Sequence, residues 1–255
     1  MMKLRYLSIC LLLIILSGCE DEGFQPPTCI LEEIEFDSNN RYRFETISGG
    51  TIYRQIQEYV TNDRTETLAS FQFQYFKDSL VILDQLNPGK YPYLRAKYED
   101  GRLKEVVRHF PLSDVLVTHF FIYNEDHFRV DMYRLASTGD YSYIAYGIYY
   151  TDESGNITRQ ESYLSQIENP DSFVRSEDRY FLYDLAKSPL QGLFLPFFSS
   201  FSLPGPEFFS PNNIVADQID NTRREFQYQY GANGSTLAQI GTSGAAIRYR
   251  YLNCN

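Results

Sequence analysis

Apolar and polar residues alternate with a period of two through most of this 255-residue chain, and the alternating runs end in tyrosine. Phe71-Gln72-Phe73-Gln74-Tyr75 is one such run, and Phe226-Gln227-Tyr228-Gln229-Tyr230 is another. The terminal tyrosines are Tyr75, Tyr98, Tyr123, Tyr150, Tyr183, Tyr230 and Tyr251, most of them followed by a polar turn and an aliphatic residue. Side chains on a strand alternate faces, so Phe226, Tyr228 and Tyr230 share one face while Gln227 and Gln229 share the other. Asp100-Gly101 and Asn233-Gly234 are strong hairpin signals, because both central turn positions need a positive φ. Weaker early copies lie at residues 34–40 and 57–63. An isolated hairpin is marginal in water, so the copies must lie side by side over a shared aromatic face. Beyond the N-terminal apolar run, no segment shows a long, capped helical period. The expected fold is all-β: repeated antiparallel hairpins forming a twisted, curled meander sheet.

Residues 186–215 break this rhythm. Pro189, Pro196, Pro204, Pro206 and Pro211 forbid a continuous ladder strand, since each lacks the N–H. Leu193, Phe194, Leu195, Phe197, Phe198, Phe201, Phe208 and Phe209 make the same stretch strongly apolar. Two readings stand: a plug packed on the sheet, or an exposed binding patch. Residues 190–200 are the place where a short helix would fit.

The N-terminus carries an address. A basic start with Lys3 and Arg5 precedes an apolar run over residues 7–16, too short to span a bilayer and suited to a secretory signal. Leu16-Ser17-Gly18-Cys19 resembles a bacterial lipobox, which implies cleavage after residue 18 and lipidation of Cys19. Glu20-Asp21-Glu22 is similar to the surface-export signal of Bacteroidota lipoproteins, or is a plain solvated tether. The expected division is a signal peptide over 1–18, an acidic, proline-containing tether over 19–28, and one β-repeat domain over 29–255.

Charge and cysteine usage narrow the partners. The net charge is −10, and it becomes more negative once Lys3 and Arg5 leave with the signal. Without a basic stripe to neutralise phosphates, nucleic acid is excluded as a partner. Of the four cysteines, Cys10 leaves with the signal and Cys19 takes lipid, so Cys29 and Cys254 remain at opposite ends of the domain in an oxidising compartment. A Cys29–Cys254 disulfide clasping the first strand to the last is one expectation, and two separate thiols in peripheral strands is the other.

Lys97-Tyr98-Glu99-Asp100-Gly101-Arg102-Leu103 resembles the tyrosine–aspartate repeat of Rhs-type surface and toxin-shell proteins. Across residues 30–255 the chain is similar to a set of Bacteroidota lipoproteins forming a domain family of unknown function. The matching residues are Ser210-Pro211-Asn212-Asn213, then Phe226 to Tyr230, then Tyr249-Arg250-Tyr251 and Cys254. The resemblance implies an all-β, surface-associated protein and brings no activity with it. Two copies depart from the pattern: Tyr183-Asp184-Leu185 and Asn124-Glu125-Asp126-His127 lack the turn glycine, which implies different loop geometry.

No constellation for catalysis emerges. His109, His119 and His127 match no metal spacing and read as incidental surface residues, with His109 and His119 able to be diagonal neighbours across a hairpin. Gly241-Thr242-Ser243-Gly244 lacks the full nucleophile elbow and reads as a turn. Asp78-Ser79-Leu80 resembles an O-glycosylation acceptor, with a plain turn as its other reading. Neither a cofactor nor a metal is implied, and the protein is not expected to be an enzyme. Two functions remain: a non-catalytic binding module for a glycan or protein, or a structural component of the outer envelope. In both, the lipid on Cys19 would hold the chain to the outer membrane, facing the cell exterior. Tyrosine rings stack on sugars and donate hydrogen bonds, and Tyr141, Tyr143 and Tyr149 are the nominated exposed contacts. Against the glycan version, the chain has 22 tyrosines but no tryptophan.

Overall fold

The structure is a computed structural model that describes residues 29–47, 51–61, 64–110, 115–135, 139–166, 172–193, 202–241 and 244–252. Its strands are β1 (Ile30–Glu35), β2 (Asn40–Thr46), β3 (Ile52–Val60), β4 (Thr65–Phe76), β5 (Ser79–Asp84) and β6 (Leu94–Glu99). Next come β7 (Arg102–Phe110), β8 (Val115–Tyr123), β9 (His127–Leu135), β10 (Tyr141–Thr151), β11 (Ile157–Ser165) and β12 (Phe173–Lys187). The circuit ends with β13 (Asn212–Ile219), β14 (Thr222–Glu225), β15 (Gln227–Tyr230), β16 (Thr236–Ile240) and β17 (Ala246–Leu252). Among the described residues the only helical element is one 3₁₀ turn, Pro206–Phe208.

All seventeen strands belong to one antiparallel sheet. Each strand from β1 to β13 pairs with the next, and β17 returns to pair with β1, with Ile34 opposite Tyr249. β14 and β15 form the seam: β14 pairs with β13, β15 pairs with β16, and between them the Phe226 N–H donates to the Val215 carbonyl at 2.9 Å. The meander therefore curls into a nearly closed barrel, which removes the unpaired edges an open sheet would leave.

Alternation decides what faces the lumen. Phe121 lies opposite Val130, which lies opposite Gly147; Tyr123 lies opposite Phe128, which lies opposite Tyr149. The side chains of Phe121, Tyr123, Phe128, Val130 and Tyr149 point inward and join Phe73, Ile82, Leu94 and Val106 in the main core. A second cluster around Ile34, Phe44 and Tyr249 closes the wall where first and last strands meet. Strand direction alternates, so the turns at 77–78, 100–101, 124–126, 152–156 and 231–235 share an end with Ile30 and Leu252. The loops at 36–39 and 85–93, with residues 139–140, 166 and 172, lie at the far end.

The Asp100-Gly101 turn forms as read: φ is +50° at Asp100 and +75° at Gly101. Asn233-Gly234 behaves differently, with positive φ at Gly234 alone, inside a longer turn that Asn233 closes by accepting from the Ser235 N–H at 3.1 Å. The Tyr183-Asp184-Leu185 copy is no hairpin; β12 runs through it without a break. Asn124–Asp126 does turn without glycine, closed by the Asn124 N–H on the His127 carbonyl at 2.9 Å.

The proline-rich insertion leaves from β12 and enters the lumen. The Tyr149 hydroxyl donates to the Pro204 carbonyl at 2.8 Å, and the Ser210 hydroxyl accepts the Ile157 N–H at 3.0 Å. Phe209 packs on Phe121, Phe128 and Tyr149, at ring separations of 6.1, 5.4 and 6.4 Å. Gly147 makes room for this: a Cβ there would lie 3.0 Å from the Leu203 side chain. Of the two readings of the insertion, the described residues Leu203, Phe208 and Phe209 follow the plug. Phe194, Leu195, Phe197, Phe198 and Phe201 lie outside the described residues, as does most of the short helix expected over 190–200.

Candidate functional site

The outer wall carries charge. Glu33, Arg41, Arg43 and Glu58 form a cross-strand ladder, with Arg41 to Glu58 at 2.7 Å and Arg43 to Glu58 at 3.4 Å. A second ladder runs over β11 and β12, where Arg159 makes paired hydrogen bonds to Asp178 at 3.0 and 3.1 Å and Arg175 reaches Glu161 at 2.9 Å. Hydrogen bonding holds the Asp178 carboxyl below the usual range, Arg159 contributing most.

Between these ladders, at the far end of the barrel, lies an aromatic shelf. β9 and β10 place Tyr133 opposite Tyr143, and Tyr141 opposite Leu135. The Tyr133 ring stacks on Tyr141 at 4.9 Å and on Tyr143 at 4.5 Å, with interplanar angles of 13° and 16°. Phe173, at the start of β12, meets Tyr143 at 4.5 Å and Tyr146 at 5.2 Å, and Tyr146 stacks on Tyr163 at 4.4 Å. One register shift, between Tyr143 and Ala145, turns Tyr143 outward although Tyr149 on the same strand points in.

A charged pair fixes the shelf. The Arg129 Nε donates to Asp131 Oδ1 at 2.6 Å, and the Tyr143 hydroxyl donates to the same oxygen at 2.5 Å. The Arg129 guanidinium also donates to the Tyr143 hydroxyl and lies 4.1 Å from the Tyr146 ring centroid. Burial, then the hydrogen bond to Asp131, pushes the Tyr143 phenol far above its ordinary range. Burial also raises Tyr141 and Tyr133, so all three hydroxyls stay protonated at neutral pH. The arrangement offers flat rings flanked by hydroxyl and guanidinium donors. That chemistry stacks and hydrogen-bonds; it provides no nucleophile.

Two nominated contacts thus come together, with Tyr141 55% exposed and Tyr143 half-buried beside it. The expectation that Tyr149 is exposed is corrected: it is 0% exposed, because its strand parity points it into the lumen. The surface reading of the histidines also fails for two of them. His119 faces the lumen, its Nε2 donating to the Ser202 carbonyl at 3.4 Å, while His109 is on the opposite face beneath Tyr91, at a ring separation of 4.7 Å. They are therefore not neighbours. Among the described residues no cluster of metal-ligating side chains occurs. Cys29 is disulfide-bonded; Cys254 and Cys19 lie outside the described residues, as do Thr242 and Ser243. Tyr133, Tyr146, Tyr163, Phe173, Arg129 and Asp131 were not singled out from sequence. The 133/143 pairing was accessible, since a hairpin centred on Thr138 places those two tyrosines opposite each other.

No protein-family model matches the chain, and no curated protein is similar to it in sequence. Solved structures do share the fold. A porin-like protein from Bacteroides vulgatus superposes with a TM-score of 0.59 at 12% identity, over 88% of this chain and 98% of its own. A porin-like protein from Bacteroides uniformis gives a TM-score of 0.51 at 12% identity, over 87% and 96%. The chain is thus an all-antiparallel barrel of the same fold as these porin-like proteins.

Proposed function

We propose that this chain is a lipid-anchored, non-catalytic binding module that stands outside the outer membrane and takes a glycan on its aromatic shelf. The observation that carries this reading is the stack of Tyr141, Tyr133 and Tyr143, held by Asp131 and Arg129, at the end opposite Ile30 and Leu252. A tether attached before β1 would leave that end outermost. Stacked tyrosines present amphipathic faces with hydroxyl donors at their rims, the combination that sugar rings bind. The lipobox-like Leu16-Ser17-Gly18-Cys19 supports the anchor, since a cysteine carrying several acyl chains meets the need for more than one membrane signal. The ion-pair ladders support a wall that stands in water while the anchor alone enters lipid. The porin-like fold neighbours are in keeping with an envelope location.

The test is a glycan array probed with protein lacking residues 1–19, alongside Tyr141→Ala and Tyr133→Ala. Saturable binding to one sugar class, lost in both variants, is the expected result. Silence on the array together with a co-purifying envelope protein would replace this reading with a structural, assembly role.

A further inference from the structure

The lumen holds a cavity of about 290 Å³ between the inserted segment and the wall formed by β12 to β17. Its apolar lining comes from Phe181, Phe208, Phe226, Tyr228 and Tyr249. Its polar lining carries charge. Asp217 accepts from Arg179 Nη2 at 2.7 Å and from Arg224 Nε at 2.8 Å, and Arg179 Nε lies 3.2 Å from Glu177. Two guanidiniums thus meet Asp217 on the lining, and Glu177, which is not part of the lining, completes an electrically balanced set. Arg224 is half exposed, so the charged end of the cavity opens to solvent.

Glu207 is the fifth ionisable group. Its carboxyl is largely buried and belongs to the lining of the cavity. Among the described residues it has no ion pair and no side-chain hydrogen bond; it bonds its own backbone N–H. A buried carboxyl without a partner is costly unless something meets its hydrogen-bonding capacity. Burial raises its pKa, which favours the neutral acid, a group able both to donate and to accept. Gln239 adds an amide on the same lining.

We propose that this lumen cavity is a second binding site, separate from the outer shelf, for one neutral monosaccharide-sized polyol. Aromatic walls present faces to sugar C–H groups. A carboxyl, an amide and a guanidinium on the lining match the hydroxyls of a sugar. The balanced charges give no net pull on an anion or a cation. A volume just under the usual range of small-molecule pockets, about 300–1,000 Å³, admits a single ring and not a chain.

The direct test is calorimetric titration of the full chain, held in a detergent without a sugar head group, with glucose, galactose, mannose, N-acetylglucosamine, acetate and benzoate in turn. One or more of the monosaccharides should bind saturably and the two anions should not. Glu207→Leu should weaken that binding by about tenfold or more, as loss of a buried hydrogen-bonding group in a site does. Glu207→Gln, which keeps donor and acceptor, should retain it. Should the leucine variant fail to fold, Gln239→Leu asks the same question at another lining residue. No monosaccharide binding, binding of acetate or benzoate instead, or sugar binding indifferent to both Glu207→Leu and Gln239→Leu would overturn the proposal. Monosaccharide binding lost in Tyr141→Ala but kept in Glu207→Leu would overturn it too, while leaving the shelf reading intact.

Discussion

Tyr149 fastens the barrel wall to the segment that fills it. Its hydroxyl donates to the Pro204 carbonyl at 2.8 Å, and its ring stacks on Phe128 at 4.7 Å with an interplanar angle of 4°. Both partners of that hydrogen bond are buried. Tyr149→Phe keeps the stacking and strands the carbonyl, so it should cost about 1–3 kcal/mol. Tyr149→Ala removes the ring as well and should cost about 3–5 kcal/mol. Denaturant unfolding of the two variants checks the order and the gap.

The inserted segment should behave as core, and the shelf should not. Phe209 packs on three inward rings, so Phe209→Ala should destabilise by about 3 kcal/mol. Tyr141 is exposed beyond its contact with Tyr133, and Tyr141→Ala should shift stability by about 1 kcal/mol or less. Thermal melts of both variants decide; a Phe209→Ala variant as stable as the parent would return the segment to a surface role.

Acid should weaken the fold through His119. Burial lowers its pKa to about 4, with the Ser202 carbonyl opposing. In the unfolded chain it protonates near 6.5. Between those values the unfolded state binds the extra proton, so stability falls as pH drops from about 6.5 towards about 4. The full loss amounts to about 3 kcal/mol. Asp178 and Asp217 push the same way in stronger acid, since hydrogen-bonded arginines hold both below the usual carboxylate range despite burial. Glu207 has the opposite sign: its raised pKa contributes stability at low pH that is lost as pH rises through it. Chemical denaturation from pH 7 to pH 4 should show the decline, and His119→Gln should flatten it.

Cys29 precedes Ile30, which pairs with Leu252, two residues before Cys254. We take Cys254 as the partner in the Cys29 disulfide. Closing so long a loop stabilises by up to about 5 kcal/mol on the chain-entropy model. Reduction should lower the melting temperature, and non-reducing peptide mapping should recover the two cysteines on one linked peptide. Free alkylation of both would remove the bridge.

How far the sequence could be read follows from the physics of each part. The wall was legible because strand alternation is local: Phe73 opposite Ile82, and Ala96 opposite Val106, follow from period-two runs and a turn such as Asp100-Gly101. Closure was legible only as an expected curl and a clasp of first strand to last; its register was not, because the pairing of β1 with β17 joins residues more than two hundred positions apart and no local pattern encodes it. The Tyr149 misreading has a smaller cause. One register shift between Tyr143 and Ala145 reverses the parity of β10, so tyrosines that share a face in an unbroken strand end on opposite sides. Tyr141 and Tyr143 were found by their type, whereas Asp131 and Arg129 became visible only through the register of β9. The lumen site was out of reach, since Glu207 joins Arg179 and Asp217 on one lining only after the insertion has folded back inside.

In the proposed function the barrel wall faces water and the lipid on Cys19 alone holds the chain to the membrane. Expressing the full chain with Cys19→Ser and fractionating the cells without detergent tests this most directly. The account predicts that the variant leaves the membrane pellet, remains folded in aqueous buffer and no longer incorporates labelled palmitate. A variant that stays in the envelope until detergent is added would mean that the barrel itself sits in lipid, and would contradict it.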